Sequence, residues 1–331
     1  MATPTGILAT GSYLPKHEVT NEDIAERAGV TPEWIAERTE ILTRRYAAPH
    51  EATSDLAVQA AGAALEQAGI SADQIDYIIL STSTGDSPQP PTSHHVQREI
   101  GASRAVSFDI NVVCSGFVYG LALAESLTTQ QPGKHALVIG ADIYSRILDP
   151  TDRRTAVLFG DGAGAAVVGP VPAGTGFVGF DLASRGELSS LIRVEAGGSR
   201  RPASAETIEA GEHYFRMEGR AVSEYVMAAV PPAITALADR LGVGLDEIQH
   251  FVPHQPNGRL LTKLVNEIGI GNATVHRTLE RYGNAGSASV AVTLDQANRS
   301  GALQPGDLVL LAGFGGGMAM GSCLLRWSAR A

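Results

Sequence analysis

Cysteine, lysine and aromatic residues are scarce in this sequence of 331 residues. The two cysteines, Cys114 and Cys323, are too few for a disulfide framework, and a reducing compartment suits them better. No cluster of cysteine and histidine has the spacing of metal ligands, so we expect no metal site. The glycine-rich segment FGDGAGAAV (159–167) lacks the G-x-G-x-x-G spacing of a dinucleotide-binding loop, so we expect no bound redox dinucleotide.

Long apolar runs and a secretory leader are also missing. No run approaches the roughly 18 apolar residues that span a bilayer, and MATPTGILATGSYLP lacks a basic segment followed by an apolar core. We therefore expect a cytoplasmic protein that does not bind membranes. The net charge of −10 argues against nucleic acid as a partner, because contacts with phosphates need a basic surface.

Helical and strand patterns alternate along the chain, which indicates an α/β fold. A weak internal repeat accompanies this alternation. The matching pairs are residues 64–81 with 237–254, 135–141 with 307–313, and 114–124 with 284–294. In the first pair, an amphipathic helix ends at Gly69 or Gly242 and is followed by an acidic turn and a short apolar strand.

The repeat predicts two similar α/β halves that pack face to face, residues 1–172 and 173–331. The boundary falls in the segment GPVPAGTG. Residues at equivalent strand ends, Cys114, His254 and Asn284, would then meet between the halves. The first half would supply the cysteine, and the second half the histidine and the asparagine.

Cys114 is a candidate nucleophile because it lies between a strand pattern and a buried helix, with Gly116 allowing a tight turn. A helix N-terminus lowers the pKa of a thiol, and a thiolate attacks thioesters well. A lone cysteine is more often a small core residue. We expect that structural role for Cys323, which lies in the apolar strand GSCLLRW.

Three further features support a site around Cys114. His254 ends an apolar run and opens a loop with proline and glycine, whereas Asn284 lies between glycines before a helix. Either residue alone is also explained by a structural role, for instance a turn or a helix cap. The glycine-rich run at 312–321 follows a buried strand and could bring backbone N–H groups close to an oxyanion, or could simply be a tight turn.

In combination, these segments resemble those of ketoacyl-acyl-carrier-protein synthase III, a family with the thiolase-like fold. The resemblance covers about 300 residues, and its motifs occur in the family's order. They are ATGSYLP (9–15), EWIAERT (33–39), the Cys114 segment, DPTDR (149–153), FGDGAGAAV (159–167), PHQPN (253–257), YGNAGSAS (282–289) and GFGGG (313–317).

The resemblance implies a reaction in two steps, with Cys114, His254 and Asn284 as catalytic residues. Cys114 would accept an acyl primer from coenzyme A, and a malonyl thioester on an acyl carrier protein would then lose carbon dioxide and attack it. His254 and Asn284 would donate hydrogen bonds to the enolate oxygen. The backbone N–H groups of Cys114 and Gly316 would form the oxyanion hole.

The resemblance also implies where the substrates and a partner subunit bind. Trp34, Arg38 and Arg153 match positions that contact coenzyme A, and stacking and charge-assisted contacts explain those residue types. Arg259 matches a position that docks the carrier. The family forms homodimers in which one subunit completes the site of the other, so we expect the same here.

Several positions depart from the family pattern and predict an unusual primer, an unusual carrier, or both. Gln89 aligns with a pocket phenylalanine contributed across the dimer interface, and Tyr144 with an aliphatic pocket position. We expect these two residues to give a more polar and roomier acyl pocket. The other departures are Glu224, Asn266 and Glu267 at positions of carrier-binding lysines, together with Glu40, Ser115, Pro256 and Gly258.

Two alternatives to condensation remain open at this point. An acyltransferase that passes the acyl group from Cys114 to a hydroxyl or an amine would need the same thiolate and oxyanion hole. A non-catalytic scaffold that binds a carrier would be expected to lack the nucleophile, which is present here. The high ratio of arginine to lysine and the richness in alanine and glycine suggest a high-GC bacterium and a polyketide pathway, by association only.

Overall fold

The computed structural model describes residues 3–329, so the outermost two residues of each predicted half lie outside it. The strands are β1 Thr5–Tyr13, β2 His17–Thr20, β3 Thr43–Tyr46, β4 Tyr77–Ser81, β5 Val106–Ile110, β6 Ala136–Asp142, β7 Gly162–Pro170, β8 Gly176–Ala183, β9 Ile192–Arg193, β10 Arg216–Met217, β11 His250–Pro253, β12 Thr274–Val275, β13 Leu308–Phe314 and β14 Met320–Arg326. The α-helices are α1 Asn21–Ala28, α2 Pro32–Thr39, α3 Thr53–Ala68, α4 Thr92–Ile100, α5 Gly116–Gln130, α6 Ala205–Glu209, α7 Gly219–Leu241, α8 Gly258–Ile268, α9 Leu279–Tyr282 and α10 Ala288–Arg299.

Two five-stranded sheets of the same topology form the frame of the molecule. The first has the order β1-β7-β6-β4-β5, and the second has the order β8-β14-β13-β11-β12. In each sheet, the first two pairs of neighbouring strands are antiparallel and the last two pairs are parallel. The first sheet uses residues 5–170 and the second uses residues 176–326, so the predicted boundary falls in the connection between them.

Helices fill the space between the sheets and cover their outer faces. The central helices α5 and α10 pack against both sheets in one core that includes Phe117, Leu121 and Leu294. Helices α3 and α4 cover the outer face of the first sheet, and α7 and α8 cover that of the second. This layered arrangement is the thiolase-like α/β fold that the sequence predicts.

The internal repeat is visible at the ends of equivalent helices. Helix α3 ends at Gly69 with φ 65°, and α7 ends at Gly242 with φ 67°. Both glycines adopt the left-handed conformation that terminates a helix at little steric cost. Cys323 is fully buried in β14 within the central core, as predicted.

Helix α7 is 23 residues long and rich in apolar residues. Among the residues that the structure describes, this one helix is long and apolar enough, by length and mean hydropathy, to cross a membrane. It contains no run of about 18 apolar residues, because Arg220, Glu224 and Asp239 interrupt it. Its buried residues recur every three to four positions, from Val222 through Val230 to Leu237, and pack onto the second sheet. That spacing is typical of a helix that covers a protein core.

Candidate active site

Cys114 lies in a short 3₁₀ turn, Val113–Ser115, that connects β5 to α5. Val113 has φ 48°, a left-handed conformation that a β-branched residue rarely adopts, so the turn is strained. Gly116 has an ordinary helical φ, but a Cβ atom there would lie 1.6 Å from Ser81 Oγ. The turn therefore requires glycine because β4 approaches closely, and not because of the backbone freedom that we expected.

The thiol of Cys114 is buried, and its pKa is raised, whereas the position at a helix N-terminus predicts a lowered pKa. Burial raises the pKa to about 12, and the nearby carboxylate of Asp142 contributes in the same direction. Hydrogen bonds from the backbone N–H groups of Gly316 and Cys114 lower it only in part. The resting nucleophile is therefore a thiol, because desolvation outweighs the helix N-terminus on which the prediction relied.

The same two N–H groups point to an oxyanion hole. Both donate to the Cys114 sulfur, so they face the position from which an acyl carbonyl would be attacked. A Cβ atom at Gly315 would lie 2.9 Å from Sγ, so the glycine loop can approach the nucleophile only without a side chain. The Ser115 hydroxyl donates to the Ala319 carbonyl at 2.8 Å and ties the nucleophile turn to this loop.

His254 follows the last residue of β11 and is buried beside the loop after β13. Its backbone N–H donates to the Ala312 carbonyl at 2.7 Å, and its ring packs edge to face against Phe314 with centroids 5.4 Å apart. Burial lowers the pKa of His254 to about 3, so the imidazole is neutral near pH 7. A neutral imidazole can donate one hydrogen bond without bringing a charge into the site.

Asn284 is held by backbone pairing with the other half of the molecule. Its N–H donates to the Leu158 carbonyl at 2.9 Å, and its carbonyl accepts from the Gly160 N–H at 3.0 Å. The side-chain oxygen accepts from the Gly286 N–H at 3.0 Å. Because the oxygen is engaged within its own loop, the amide NH₂ group is the part of the side chain left to donate into the cavity.

Cys114, His254 and Asn284 line one cavity of about 40 Å³. The trio comes from both halves of the chain, at the ends of equivalent elements, as the repeat predicts. Apolar side chains form most of the remaining lining, among them Phe159, Ile192, Phe215, Met217, Val222 and Val226. Tyr144 stacks on Phe159 with ring centroids 4.6 Å apart and closes one wall.

The two predicted pocket residues have different positions. Tyr144 lines the cavity, whereas Gln89 is exposed on the segment before α4 and lies outside the lining. Its contribution to a partner's site stays a prediction. Within one chain, the pocket is small and mostly apolar, and the rings of Tyr144, Phe159 and Phe215 pack against one another beside it, one pair stacked and two pairs edge to face. A pocket that is roomier and more polar than that of the family stays a prediction.

The residues predicted to contact coenzyme A cluster at the surface. The Arg153 guanidinium lies 5.9 Å from the centre of the Trp34 ring, and Arg38 is exposed one helical turn farther along α2. Arg259 is exposed in the first turn of α8, which follows His254 along the chain. An aromatic ring beside guanidinium groups is suited to stack on the adenine of coenzyme A and to bind its phosphates.

Two buried residues near the trio escaped the sequence analysis. Gln255 accepts hydrogen bonds from the N–H groups of Thr278 at 3.0 Å and Leu279 at 3.3 Å, and so ties the loop after His254 to the segment that leads to Asn284. Asp142 ends β6 and contacts the loop after Asn284. Gln255 lies inside PHQPN and Asp142 directly follows a buried strand, so both had a weak signal.

Comparison with known proteins identifies the family. The profile of 3-oxoacyl-[acyl-carrier-protein] synthase III matches residues 108–186, and the profile of its C-terminal part matches residues 238–327. The acetoacetyl CoA synthase NphT7 of Streptomyces sp. strain CL190 is 49% identical over 97% of this chain and 98% of its own length. The chain belongs to the synthase III family.

A second relative and a solved structure agree with this assignment. The β-ketoacyl-[acyl-carrier-protein] synthase III of Caldanaerobacter subterraneus subsp. tengcongensis is 42% identical over 98% of both chains. The priming β-ketosynthase of the R1128 polyketide pathway superposes with a TM-score of 0.91, at 33% identity over 99% of this chain and 97% of that one. The protein is therefore a synthase III-type condensing enzyme, and neither transfer to a hydroxyl or an amine nor a scaffold role is favoured.

Proposed function

We propose that this synthase III condenses an acetyl group on Cys114 with malonyl-CoA and releases acetoacetyl-CoA. The observation that carries the proposal is the small, mostly apolar cavity that joins Cys114 to His254 and Asn284. The 49% identity to an acetoacetyl CoA synthase supports the choice of product. A product on coenzyme A requires the malonyl group to arrive on coenzyme A as well.

The size of the cavity favours a short primer. The cavity is small, with a volume of about 40 Å³, and most of its lining is apolar. The acetyl group has three heavy atoms. Larger acyl groups would have to displace the rings of Tyr144, Phe159 or Phe215, which pack against one another.

The charges near α8 support an extender carried by coenzyme A. Glu224, Asn266 and Glu267 are all exposed, and Glu224 already forms an ion pair with Arg220 at 2.9 Å. At the three positions where the resemblance implies lysines, an acidic carrier protein would meet two carboxylates and one uncharged amide, and like charges weaken association. Arg259 remains as a candidate contact for a carrier or for the phosphates of coenzyme A.

The first step moves the acetyl group from one sulfur to another. The Cys114 sulfur attacks the carbonyl carbon of acetyl-CoA, and the N–H groups of Cys114 and Gly316 hold the oxyanion. The C–S bond to coenzyme A then breaks, and the proton lost by Cys114 ends on the coenzyme A thiol. Each oxyanion donor is worth about 2.7–4 kcal/mol in enzymes of this general type.

The second step forms the carbon–carbon bond. The malonyl carboxylate leaves as carbon dioxide, and negative charge moves onto the thioester oxygen as an enolate. The neutral His254 imidazole and the Asn284 NH₂ group donate to that oxygen. The enolate carbon attacks the acetyl carbonyl, the bond to Cys114 breaks, and the released thiolate takes a proton from solvent.

The proposal is tested by offering the acetylated enzyme two extenders in parallel, malonyl-CoA and a malonyl-acyl-carrier protein from a bacterial fatty-acid pathway. We expect acetoacetyl-CoA, identified by mass, together with one equivalent of carbon dioxide from malonyl-CoA. The Cys114→Ala variant is the control and should give neither. Product from the malonyl-carrier alone would reject coenzyme A as the carrier of the extender.

The assembly is part of the same proposal. Strand β5 is an edge strand whose residues are all at least partly exposed, and Val106 is 59% exposed there. An edge strand with an exposed apolar residue invites pairing with another copy. We propose that the enzyme is a homodimer, with Gln89 placed near the partner's cavity.

A further inference from the structure

Asp142 is a buried carboxylate that the reaction above does not use. It ends β6, is fully buried, and lies two residues before Tyr144. Within residues 3–329, no lysine, arginine or histidine forms an ion pair with it. A carboxylate without a cation in such a place needs hydrogen bonds to compensate for the loss of water.

The two oxygens of Asp142 bind different halves of the molecule. Oδ1 accepts from the Ser83 N–H at 2.8 Å and from the hydroxyls of Thr82 at 3.2 Å and Thr84 at 3.0 Å. Oδ2 accepts from Ser287, through its N–H at 2.8 Å and its hydroxyl at 2.7 Å. One side chain therefore joins the first half to the start of α10 in the second half.

The hydrogen bonding fits the ionised form of Asp142. The Thr84 hydroxyl oxygen already accepts from the Ile143 N–H at 2.8 Å, and that of Thr82 accepts from the Thr84 N–H at 3.1 Å. The hydrogens of both hydroxyls are thus left to point at the carboxylate. Burial raises the pKa of Asp142, and the donors on Ser287, Ser83 and Thr84 oppose that effect.

The carboxylate also lies against the loop that carries Asn284. A Cβ atom at Gly286 would lie 2.4 Å from Asp142 Oδ2 and 2.3 Å from Tyr144 Cε2. Ser287, which Asp142 binds twice, is three residues after Asn284. The Gly286 N–H binds the side-chain oxygen of Asn284 and so sets the direction of its amide. Because Asp142 binds Ser287 and lies against Gly286, it holds the two residues on which this direction depends.

His254 and Tyr144 line the cavity with Cys114, and Asp142 lies beside Tyr144 where both approach Gly286. The imidazole of His254 is neutral near pH 7, and burial raises the pKa of Tyr144 well above its ordinary value. The carboxylate of Asp142 raises the pKa of the Cys114 thiol in addition to burial, which is the larger cause. A negative charge beside a thiol disfavours the thiolate.

We propose that Asp142 is a positioning residue, whose carboxylate fixes the loop that carries Asn284. The inference rests on the proposed roles of Cys114 and Asn284. It predicts two effects of opposite sign for one substitution. Loss of the negative charge makes the Cys114 thiol more reactive, and weaker hydrogen bonding to Ser287 makes condensation slower.

The test measures alkylation of Cys114 by iodoacetamide at pH 7, mapped by mass spectrometry with buried Cys323 as an internal reference. We expect Asp142→Asn to alkylate roughly three- to tenfold faster than wild type, since each unit by which the pKa falls gives about tenfold more thiolate. Release of carbon dioxide from malonyl-CoA should fall at least about tenfold.

Asp161→Asn is the matched control. Asp161 is also fully buried and likewise accepts from both the N–H and the hydroxyl of one serine, Ser145 at 2.9 Å and 2.6 Å. It does not act on the Cys114 thiol. We expect alkylation of this variant at the wild-type rate. Alkylation of Asp142→Asn that is unchanged or slower, or an equal acceleration in Asp161→Asn, would overturn the effect of the charge.

Ser287→Ala separates the effect of the hydrogen bonds between Asp142 and Ser287 from the effect of the charge. It also provides a test if the Asp142→Asn variant does not fold. The Ser287→Ala variant keeps the carboxylate and removes one of the two donors to Oδ2. We expect alkylation at the wild-type rate and carbon dioxide release lowered a few fold. Wild-type carbon dioxide release in Ser287→Ala would overturn the positioning role. Because alkylation needs no substrate, its result does not depend on which extender the enzyme uses.

Discussion

At the scale of single residues, the site holds an uncharged thiol and an uncharged imidazole. Burial raises the pKa of Cys114 to about 12 and lowers that of His254 to about 3. Burial disfavours the charged form of either group, so the shifts have opposite signs for the acid and the base. A neutral His254 is suited to donate a hydrogen bond to an enolate, and it has little capacity to take the thiol proton.

The raised pKa of Cys114 predicts how the reactivity of its thiol depends on pH. The thiolate fraction of Cys114 should rise about tenfold per pH unit throughout the range below its raised pKa. We expect the logarithm of the alkylation rate with iodoacetamide to increase linearly between about pH 6 and pH 9, with no plateau. A plateau near neutral pH would indicate a preformed thiolate and contradict the account of the resting site.

The roles of His254 and Asn284 predict a split between the two steps. His254→Ala and Asn284→Ala should still take an acetyl group from acetyl-CoA onto Cys114, because the oxyanion hole is intact. Each should lose about 10²-fold or more in carbon dioxide release from malonyl-CoA, as expected when a donor to a developing oxyanion is removed. Radiolabel trapped on the protein and labelled carbon dioxide measure the two steps separately.

Equal loss of both steps in these variants would show that the residues do not serve the enolate. At this scale, the meeting of Cys114, His254 and Asn284 in one cavity could be predicted because each residue ends a strand or opens a loop inside a recognisable motif. The raised pKa of Cys114 could not be predicted, because the burial of the thiol and the proximity of the Asp142 carboxylate arise only from tertiary packing. The reason for Gly116 was missed likewise, because Ser81 approaches it from another strand.

At the scale of elements, two departures from the family pattern prove to be neighbours. Glu40 caps α2 with φ 62°, and Gly258 is the first residue of α8. A Cβ atom at Gly258 would lie 2.2 Å from Glu40 Oε2 and 2.6 Å from Glu40 Cβ. The backbone of Gly258 is not left-handed, so the Glu40 side chain, which also pairs with Arg277, explains the glycine.

This contact predicts that the two positions are energetically coupled. A left-handed residue other than glycine costs about 1–2 kcal/mol, so Glu40→Gly relieves strain but empties the space beside Gly258 and removes the partner of Arg277. Gly258→Leu should be strongly destabilising, since its side chain would collide with Glu40. In the double variant the leucine should fill the vacated space and recover about 1 kcal/mol or more of the free energy of unfolding.

Urea unfolding of the four proteins measures the coupling. Gly62→Leu, in α3, is a suitable control because a Cβ atom there would meet no other atom within 4 Å. It should not couple to Glu40→Gly. Additive effects of Glu40→Gly and Gly258→Leu would show that the two departures are independent.

The elements themselves were largely accessible from the sequence. Strands β4 and β11, the helices before them and their glycine caps follow from the internal repeat, because both copies carry the same apolar periodicity. The contact between Glu40 and Gly258 did not follow, since neither residue has an apolar pattern and the two lie far apart in the chain.

At the scale of the whole molecule, the two halves present equivalent sheets but leave β5 as an edge with an exposed apolar residue. The homodimer that we propose would cover it. We expect sedimentation to give a dimer, and Val106→Asp to weaken it because a charge would be buried in the interface. Ile208→Asp is the control, as Ile208 is 66% exposed on α6, away from this edge. A fully active wild-type monomer would contradict the proposed assembly.

The central claim is that Cys114 carries an acetyl group that malonyl-CoA then consumes. The most direct measurement is the intact mass of the protein after acetyl-CoA alone and again after malonyl-CoA is added. We expect one added acetyl mass, located on Cys114 and absent in Cys114→Ala, which disappears in the second stage as acetoacetyl-CoA forms. Acetylation that persists in Cys114→Ala, or an acetyl group that malonyl-CoA leaves in place, would contradict the central claim.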